Sequence, residues 1–275
     1  MLQLTNYPPM LLEERPFAFG AAGWLYEIKF DGYRLMALAD GGHVELRTRG
    51  AANATAWFPE VVDGLAGLKG GPFIFDGEIC VLDDAGRSDF DRLHARARRR
   101  RWYDGADPVV YCIFDVLVAG GHELLQLPLL ERKARLAKIF RRARPNILPV
   151  RHFDAEDGAQ VFQQAVVPLG LEGLCAKRAE SIYVPGARST DWVKIKRQWR
   201  GAARAVQARE VDAAGLGIGG LKLVDQALCA SSPRTLRTGR SPSIRAFWPA
   251  VVPAQCCASS TALRPAGAPA LFPLP

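Results

Sequence analysis

The first two thirds of this 275-residue chain predict an α+β domain rich in strands. Short apolar runs of strand length recur there, several of them bounded by Gly, Asp or Pro. Between them, three longer segments have the length and pattern of helices. About 195 residues is enough for one large domain with a good core.

Strands are predicted over 25–30, 34–39, 44–48, 73–82, 109–117, 173–177 and 191–196. Apolar residues alternate through 24–30, so that strand has one buried face, and Asp31-Gly32 after it is a tight-turn dipeptide. The strand at 73–82 is strongly apolar except for Asp76-Gly77-Glu78. Acids inside such a run are costly unless they meet cations, metal or hydroxyls. Helices are predicted over 89–97, 130–142 and 155–167. The second carries apolar Leu130, Ala134, Leu136, Ala137 and Phe140 at helical spacing against Arg and Lys, and Pro145 ends it.

The chemistry concentrates around Lys29. It stands between Glu27 and Asp31, with Arg34 five residues on, at the end of a strand where a side chain can point into a cleft. A lysine becomes a covalent nucleophile if it loses its proton near neutral pH, and nearby cations and desolvation both push it that way. The plain alternative is a solvated lysine on a surface hairpin. Lys194 and Lys196 lie on one face of their strand, because side chains alternate with period two. Two such cations repel each other, and a polyphosphate between them would explain the pair better than structure alone. An exposed basic strand face is the alternative.

The spacing Lys29-x-Asp31-Gly32-x-Arg34 resembles the nucleotidyl-lysine motif of ATP-dependent DNA ligases, RNA ligases and mRNA capping enzymes. Other segments follow in that superfamily's order. Asp76-Gly77-Glu78-Ile79 resembles its D-G-E-I motif, and Ile113-Phe114-Asp115-Val116-Leu117 its F-D-L-L strand. Glu172-Gly173-Leu174-Cys175-Ala176-Lys177 resembles its E-G motif, and Trp192-Val193-Lys194-Ile195-Lys196 its W-x-K-x-K motif. Arg47-Thr48-Arg49-Gly50 is similar to its S-R-N/G element, with Thr48 in place of the usual serine. Features around the motifs, such as Trp57-Phe58-Pro59-Glu60 and Leu127-Pro128-Leu129-Leu130-Glu131-Arg132-Lys133, look most like bacterial ligases that act with Ku in end joining.

The resemblance implies an ATP-grasp-like nucleotidyltransferase domain of antiparallel sheets with flanking helices over 1–197. It implies that Lys29 attacks ATP and carries AMP, which then passes to a DNA 5′-phosphate before the strand is sealed. It places Glu27 at the adenine edge, Phe114 stacked on the adenine, and Arg34 and Arg49 near ribose and phosphate. It assigns Glu78 and Glu172 to Mg²⁺ or Mn²⁺. Lys194 and Lys196 would neutralise phosphate oxygens and help keep Lys29 uncharged. For Phe114, plain core packing is the alternative. Expected partners are nicked or broken double-stranded DNA and Ku, with the protein a monomer in the bacterial cytoplasm at the nucleoid. Two rival readings are an RNA ligase or capping-type enzyme, and a DNA-binding remnant that does not seal.

Composition agrees. The net charge of +8 and pI near 9.4 suit a polyanionic partner. The basic run 96–101 ends a predicted helix. It either grips DNA phosphates or is a solvated helix end favoured by the dipole. No run of about 18 apolar residues or signal-peptide pattern is seen, so no membrane is expected. No Cys/His spacing suggests zinc, and Cys80, Cys112 and Cys175 read as ordinary buried thiols of a reducing compartment. Residues 198–275 depart from the family pattern. From Gln226 onward there is no acid and no lysine. An incomplete or degenerate OB-fold region is expected there, with one strand near 216–224 and a disordered tail.

Overall fold

The computed structural model describes residues 2–197. The expected OB-fold region, including the strand near 216–224, lies outside the described residues. In chain order the strands are β1 (Leu11–Glu13), β2 (Trp24–Lys29), β3 (Tyr33–Asp40), β4 (His43–Thr48), β5 (Phe73–Cys80), β6 (Val110–Ala119), β7 (His122–Glu123), β8 (Ile147–Pro149), β9 (Gly173–Arg178) and β10 (Arg188–Lys196). They form a four-stranded sheet in the order β1-β10-β9-β2 and a six-stranded one in the order β4-β3-β5-β6-β7, with β8 added on β6. Most neighbours are antiparallel; β1 on β10 and β8 on β6 are parallel.

Period-two alternation sorts the apolar residues into three layers. Leu25, Met36, Leu38, Ile74, Phe114 and Trp192 belong to a core drawn from both sheets. Leu35, Ala37, Phe75 and Tyr111 point the other way from the larger sheet. They pack against helices α1 (Pro59–Ala66), α2 (Phe90–Arg98) and α3 (Leu129–Ile139) through Val61, Leu65, Leu93, Ala97 and Leu136. Tyr26, Leu174, Ala176, Val193 and Ile195 cover the far face of the smaller sheet, beneath Phe162 and Val166.

All seven predicted strands are present. Three differences from the predicted elements have physical causes. Asp89 caps α2 rather than joining it, its carboxylate accepting from Arg92 N at 3.0 Å. The helix expected over 130–142 ends at Ile139, where Phe140 leaves helical backbone angles well before Pro145. The helix expected over 155–167 is a relay of 3₁₀ (Ala155–Asp157), α4 (Gly158–Val161) and π turns (Phe162–Val166), which buries Phe162 and Val166. Helix α1 was not predicted. It opens on Pro59 at its first turn, a favourable place for proline.

Candidate active site

The register of the smaller sheet builds the site. Leu25, Lys177 and Trp192 form one cross-strand row on its inner face. Glu27, Cys175 and Lys194 form the next, and Lys29, Gly173 and Lys196 the last. Gly173 leaves the centre of the last row bare. A Cβ there would sit 2.0 Å from the Ile195 carbonyl oxygen, so no other residue fits. Opposite, β3 and β5 aim Arg34, Asp76 and Glu78 at this face, with Arg34 paired across from Glu78. Gly32 closes the β2–β3 connection onto β5. Its missing Cβ would meet the Ile79 carbonyl oxygen at 2.1 Å.

Lys29 stands on a ridge between two clefts. The larger, about 500 Å³, is lined by Lys29, Arg34, Thr48, Arg49, Glu78, Glu172, Lys194 and Lys196 among others. The smaller, about 290 Å³, shares Lys29, Glu172 and Lys196 and adds Asp31, Ser88 and Arg197. Lys29 Nζ meets Glu172 Oε2 at 2.5 Å. Burial works to strip the Lys29 proton, but its acidic neighbours, Cys175 when ionised, Glu172 with its hydrogen bond, and Glu78, outweigh it and hold the ammonium above the usual lysine value. Lys29 is thus held as an ammonium against Glu172. Burial also pushes Glu172 up, despite the pull of Lys29. Glu78 is pushed up to about 7 by burial, against Arg34 and Lys29.

Lys194 and Lys196 have a partner the sequence did not reveal. Glu14, just after β1, lies 2.7 Å from Lys194 Nζ and 3.6 Å from Lys196 Nζ. In place of an anion held only by repelling lysines, the wall carries its own carboxylate. Lys194, with its hydrogen bond to Glu14, is the main reason that carboxyl sits below its usual range. Glu14→Gln should free both ammonium groups and lower the KM for a nucleotide triphosphate roughly 1.5- to 5-fold, the scale of an exposed ion pair. Initial-rate kinetics against nucleotide concentration would read this, and an unchanged KM would show that Glu14 does not compete.

Three other expected nucleotide contacts are engaged elsewhere. Arg34 is bidentate on Asp76, at 2.5 and 2.7 Å, and donates to the Met10 carbonyl at 3.1 Å. Glu27 lines neither cleft; it is buried between Lys133 at 2.6 Å and Lys177 at 2.7 Å. Burial would raise its carboxyl, but the two ammonium groups outweigh that and hold it below the usual range. Phe114 is in the core, edge-on to Trp192, with Arg34 4.4 Å and Lys177 4.3 Å from its ring centre. Arg49 lines the larger cleft and carries no ion pair among the described residues. Cys80 and Cys112 are buried as expected. Cys175 is only partly buried and lies in the charged row, where burial pushes its thiol up to about 11.

The acids suit a hard divalent cation. Glu78 and Glu172 both line the larger cleft and offer oxygen donors. One or two carboxylates are what Mg²⁺ usually takes, with waters and phosphate oxygens completing its shell. No group of three or more His, Cys, Asp or Glu converges on one point among the described residues.

The raised Glu78 carboxyl has a signed consequence. The folded state keeps its proton to about pH 7, whereas the unfolded chain releases it near 4.5. Its contribution to stability is thus present below 4.5 and lost as pH rises through 7. Glu78→Gln should gain stability relative to the wild type as pH goes from 5 to 8, in urea denaturation with chelator present. A difference independent of pH would show that Glu78 ionises normally.

A family model described as ATP dependent DNA ligase domain matches residues 9–196. The chain belongs to this family. The ligase domain is 38% identical over 177 residues to the multifunctional non-homologous end joining protein LigD of Pseudomonas aeruginosa, covering 64% of this chain and 20% of that protein. It is 34% identical over 197 residues to a Mycobacterium tuberculosis LigD, 71% and 24% of the two chains. The matched part thus spans about a quarter or less of these relatives. Among solved structures, the ligase domain of M. tuberculosis LigD superposes with TM-score 0.60 at 33% identity, over 71% of this chain and 61% of that one. A mycobacterial DNA ligase D complexed with ATP and MES gives TM-score 0.60 at 32% identity, over 72% and 62%. The fold is accordingly the mixed α+β nucleotidyltransferase-like domain of DNA ligase adenylation domains. No helix among the described residues is long and apolar enough to cross a membrane.

Proposed function

We propose that this chain is the adenylation domain of an ATP-dependent DNA ligase that joins broken DNA through a lysyl-AMP intermediate, as in end joining. The observation that carries it is Lys29 on the ridge between two clefts, with Arg49, Lys194 and Lys196 on the wall of the larger one. Lys29 Nζ attacks the α-phosphorus of ATP, forming a phosphoramidate N–P bond while the P–O bond to pyrophosphate breaks. The Lys29 ammonium first passes its proton to solvent as its contact with Glu172 opens, which leaves the amine lone pair to attack phosphorus. The Lys194 and Lys196 ammonium groups and Arg49 meet the phosphate oxygens, once Glu14 gives way. For Phe114 to stack on the adenine, the Arg34 guanidinium has to leave its ring; Glu27 then offers its carboxylate to the adenine edge if Lys177 moves with the base. Glu78 and Glu172 are the residues that would hold Mg²⁺ or Mn²⁺, which when bound supplies charge neutralisation on the phosphate. AMP then passes from Lys29 to a DNA 5′-phosphate, and a 3′-hydroxyl displaces it. The chemistry is mostly positioning and charge stabilisation, as in other phosphoryl transfers.

The test is incubation of the 275-residue chain with α-labelled ATP, GTP or NAD, followed by peptide mapping. Label from ATP alone, on Lys29, and its discharge onto a nicked duplex are expected. Label from GTP would favour a capping-type enzyme. Discharge onto nicked RNA only would favour an RNA ligase.

A further inference from the structure

The basic run at the end of α2 is a built surface rather than a frayed helix end. Arg96, the first of the run, is fully buried. Its guanidinium donates to the Arg101 carbonyl at 2.7 Å and reaches Glu60 at 3.4 Å, beside the Phe58 and Tyr103 rings. That buried staple holds the next turn of chain in one shape. Arg98, Arg99, Arg100 and Arg101 are all exposed on it. Two of the four are laid on aromatic rings, Arg99 at 3.9 Å over Tyr103 and Arg100 at 5.5 Å over Trp57. Arg100 has φ 54° at the second position past the helix, where glycine is the usual residue. A solvated helix end needs neither the rings nor an arginine in that strained position. Trp102 follows, 54% exposed beside the four cations.

The other end of α2 reaches the site. Tyr33 lines the larger cleft, packs on Phe90 at 5.6 Å and shares a hydrogen bond with His94 at 2.5 Å. The nine residues of α2 span about 13 Å, the rise of about four base-pair steps of duplex DNA. We propose that the arginine loop 98–101 with Trp102 binds the phosphate backbone of the DNA duplex about four base pairs out from the break, fixing the direction in which the DNA leaves the cleft. This rests on the DNA-joining reading above. Guanidinium groups held on rings, as those of Arg99 and Arg100 are, suit phosphates and lose little freedom on binding. The indole supplies an apolar surface for the sugars between them.

The test is the full chain and its R98A/R99A/R100A/R101A variant on a fluorescent nicked duplex, by anisotropy over a salt series. The staple Arg96 stays, so the fold is kept, which a thermal melt checks. The slope of log affinity against log salt should become shallower by about two to three, at roughly 0.9 for each phosphate that the variant no longer neutralises. Labelling by free ATP should be unchanged. Stepwise shortening of one duplex arm to under about four base pairs should bring wild type and variant together. An unchanged slope in a variant that still labels would overturn the proposal. So would an equal loss on a single-stranded oligonucleotide, which would make the loop a single-strand site. A wild-type chain that neither takes label nor binds duplex would instead sink the ligase reading itself.

Discussion

Lys29→Ala is expected to reduce covalent AMP transfer to background while leaving the domain folded. Lys29 sits at the end of β2 in a row whose centre is Gly173, so its side chain contributes charge and little packing. Its main contact is Glu172, with the two side chains 19% and 24% exposed. Losing that half-buried pair costs on the order of 1 kcal/mol, between the exposed and buried extremes. Lys29→Arg is expected to be equally dead, because a guanidinium stays protonated and has no free lone pair to attack phosphorus. Acid-labile label recovered from either variant would mean that another group is the nucleophile. The outcome bears on the resting state too. With Lys29 held by Glu172, the adenylation rate should depend on how readily that contact opens, so Lys29 is a restrained cation until substrate arrives.

Much of this site was legible in the sequence for one reason. Alternation on a strand assigns faces, and short motifs on β2, β5, β9 and β10 put their charged residues on the inner one. Lys29, Glu78 and the two wall lysines therefore line the larger cleft, joined by Glu172 just before β9 and Arg49 just after β4, which strand alternation does not place. What could not be read is which charge meets which. Glu14 lies in an unpatterned Glu13-Glu14-Arg15 segment, and only the parallel pairing of β1 with β10 brings it beside Lys194. Lys133, which shares Glu27 with Lys177, is on α3, far away in sequence and carrying no spacing signal toward β2. Arg34 resembled a nucleotide contact, but Asp76, diagonal to it on the neighbouring strand β5, accepts from its Nε and one terminal nitrogen. The acids of the Asp76-Gly77-Glu78 run are costly there unless they meet cations, metal or hydroxyls. Asp76 has Arg34 and the Tyr183 hydroxyl, at 2.6 Å. The helix relay at 155–166 escaped because an apolar pattern with helical spacing does not distinguish α from wider or tighter turns.

Asp115→Asn is expected to be the most destabilising single change in the domain outside its apolar core. Asp115 follows Phe114 on β6 and is fully buried with Arg132 of α3. The pair is bidentate, with both contacts at 2.9 Å. The remaining polar groups are also satisfied: Arg132 donates to the Leu127 carbonyl at 2.5 Å and the Ser181 carbonyl at 3.0 Å, and Asp115 accepts from Val116 N at 2.9 Å. The asparagine keeps the shape and removes the charge, leaving a buried guanidinium uncompensated. Breaking such a pair costs about 3–5 kcal/mol, a large part of the 5–15 kcal/mol that holds a typical domain. Urea denaturation should show the fall, and a loss under about 1 kcal/mol would mean that the pair is open or wet. The double change Asp115→Leu with Arg132→Met should recover only part of it, since the apolar pair removes the buried charges but leaves Val116 N and the Leu127 and Ser181 carbonyls without these partners. The effect should also reach the site. Arg132 anchors the chain at Ser181, two residues before Tyr183, and Tyr183 bonds the Asp76 that holds Arg34 against Phe114. Loosening at Asp115 should therefore free Arg34 from the Phe114 ring more readily, so AMP labelling per folded molecule should not fall at temperatures well below the variant's own unfolding, and a fall would show that Arg34 acts from its place on the ring.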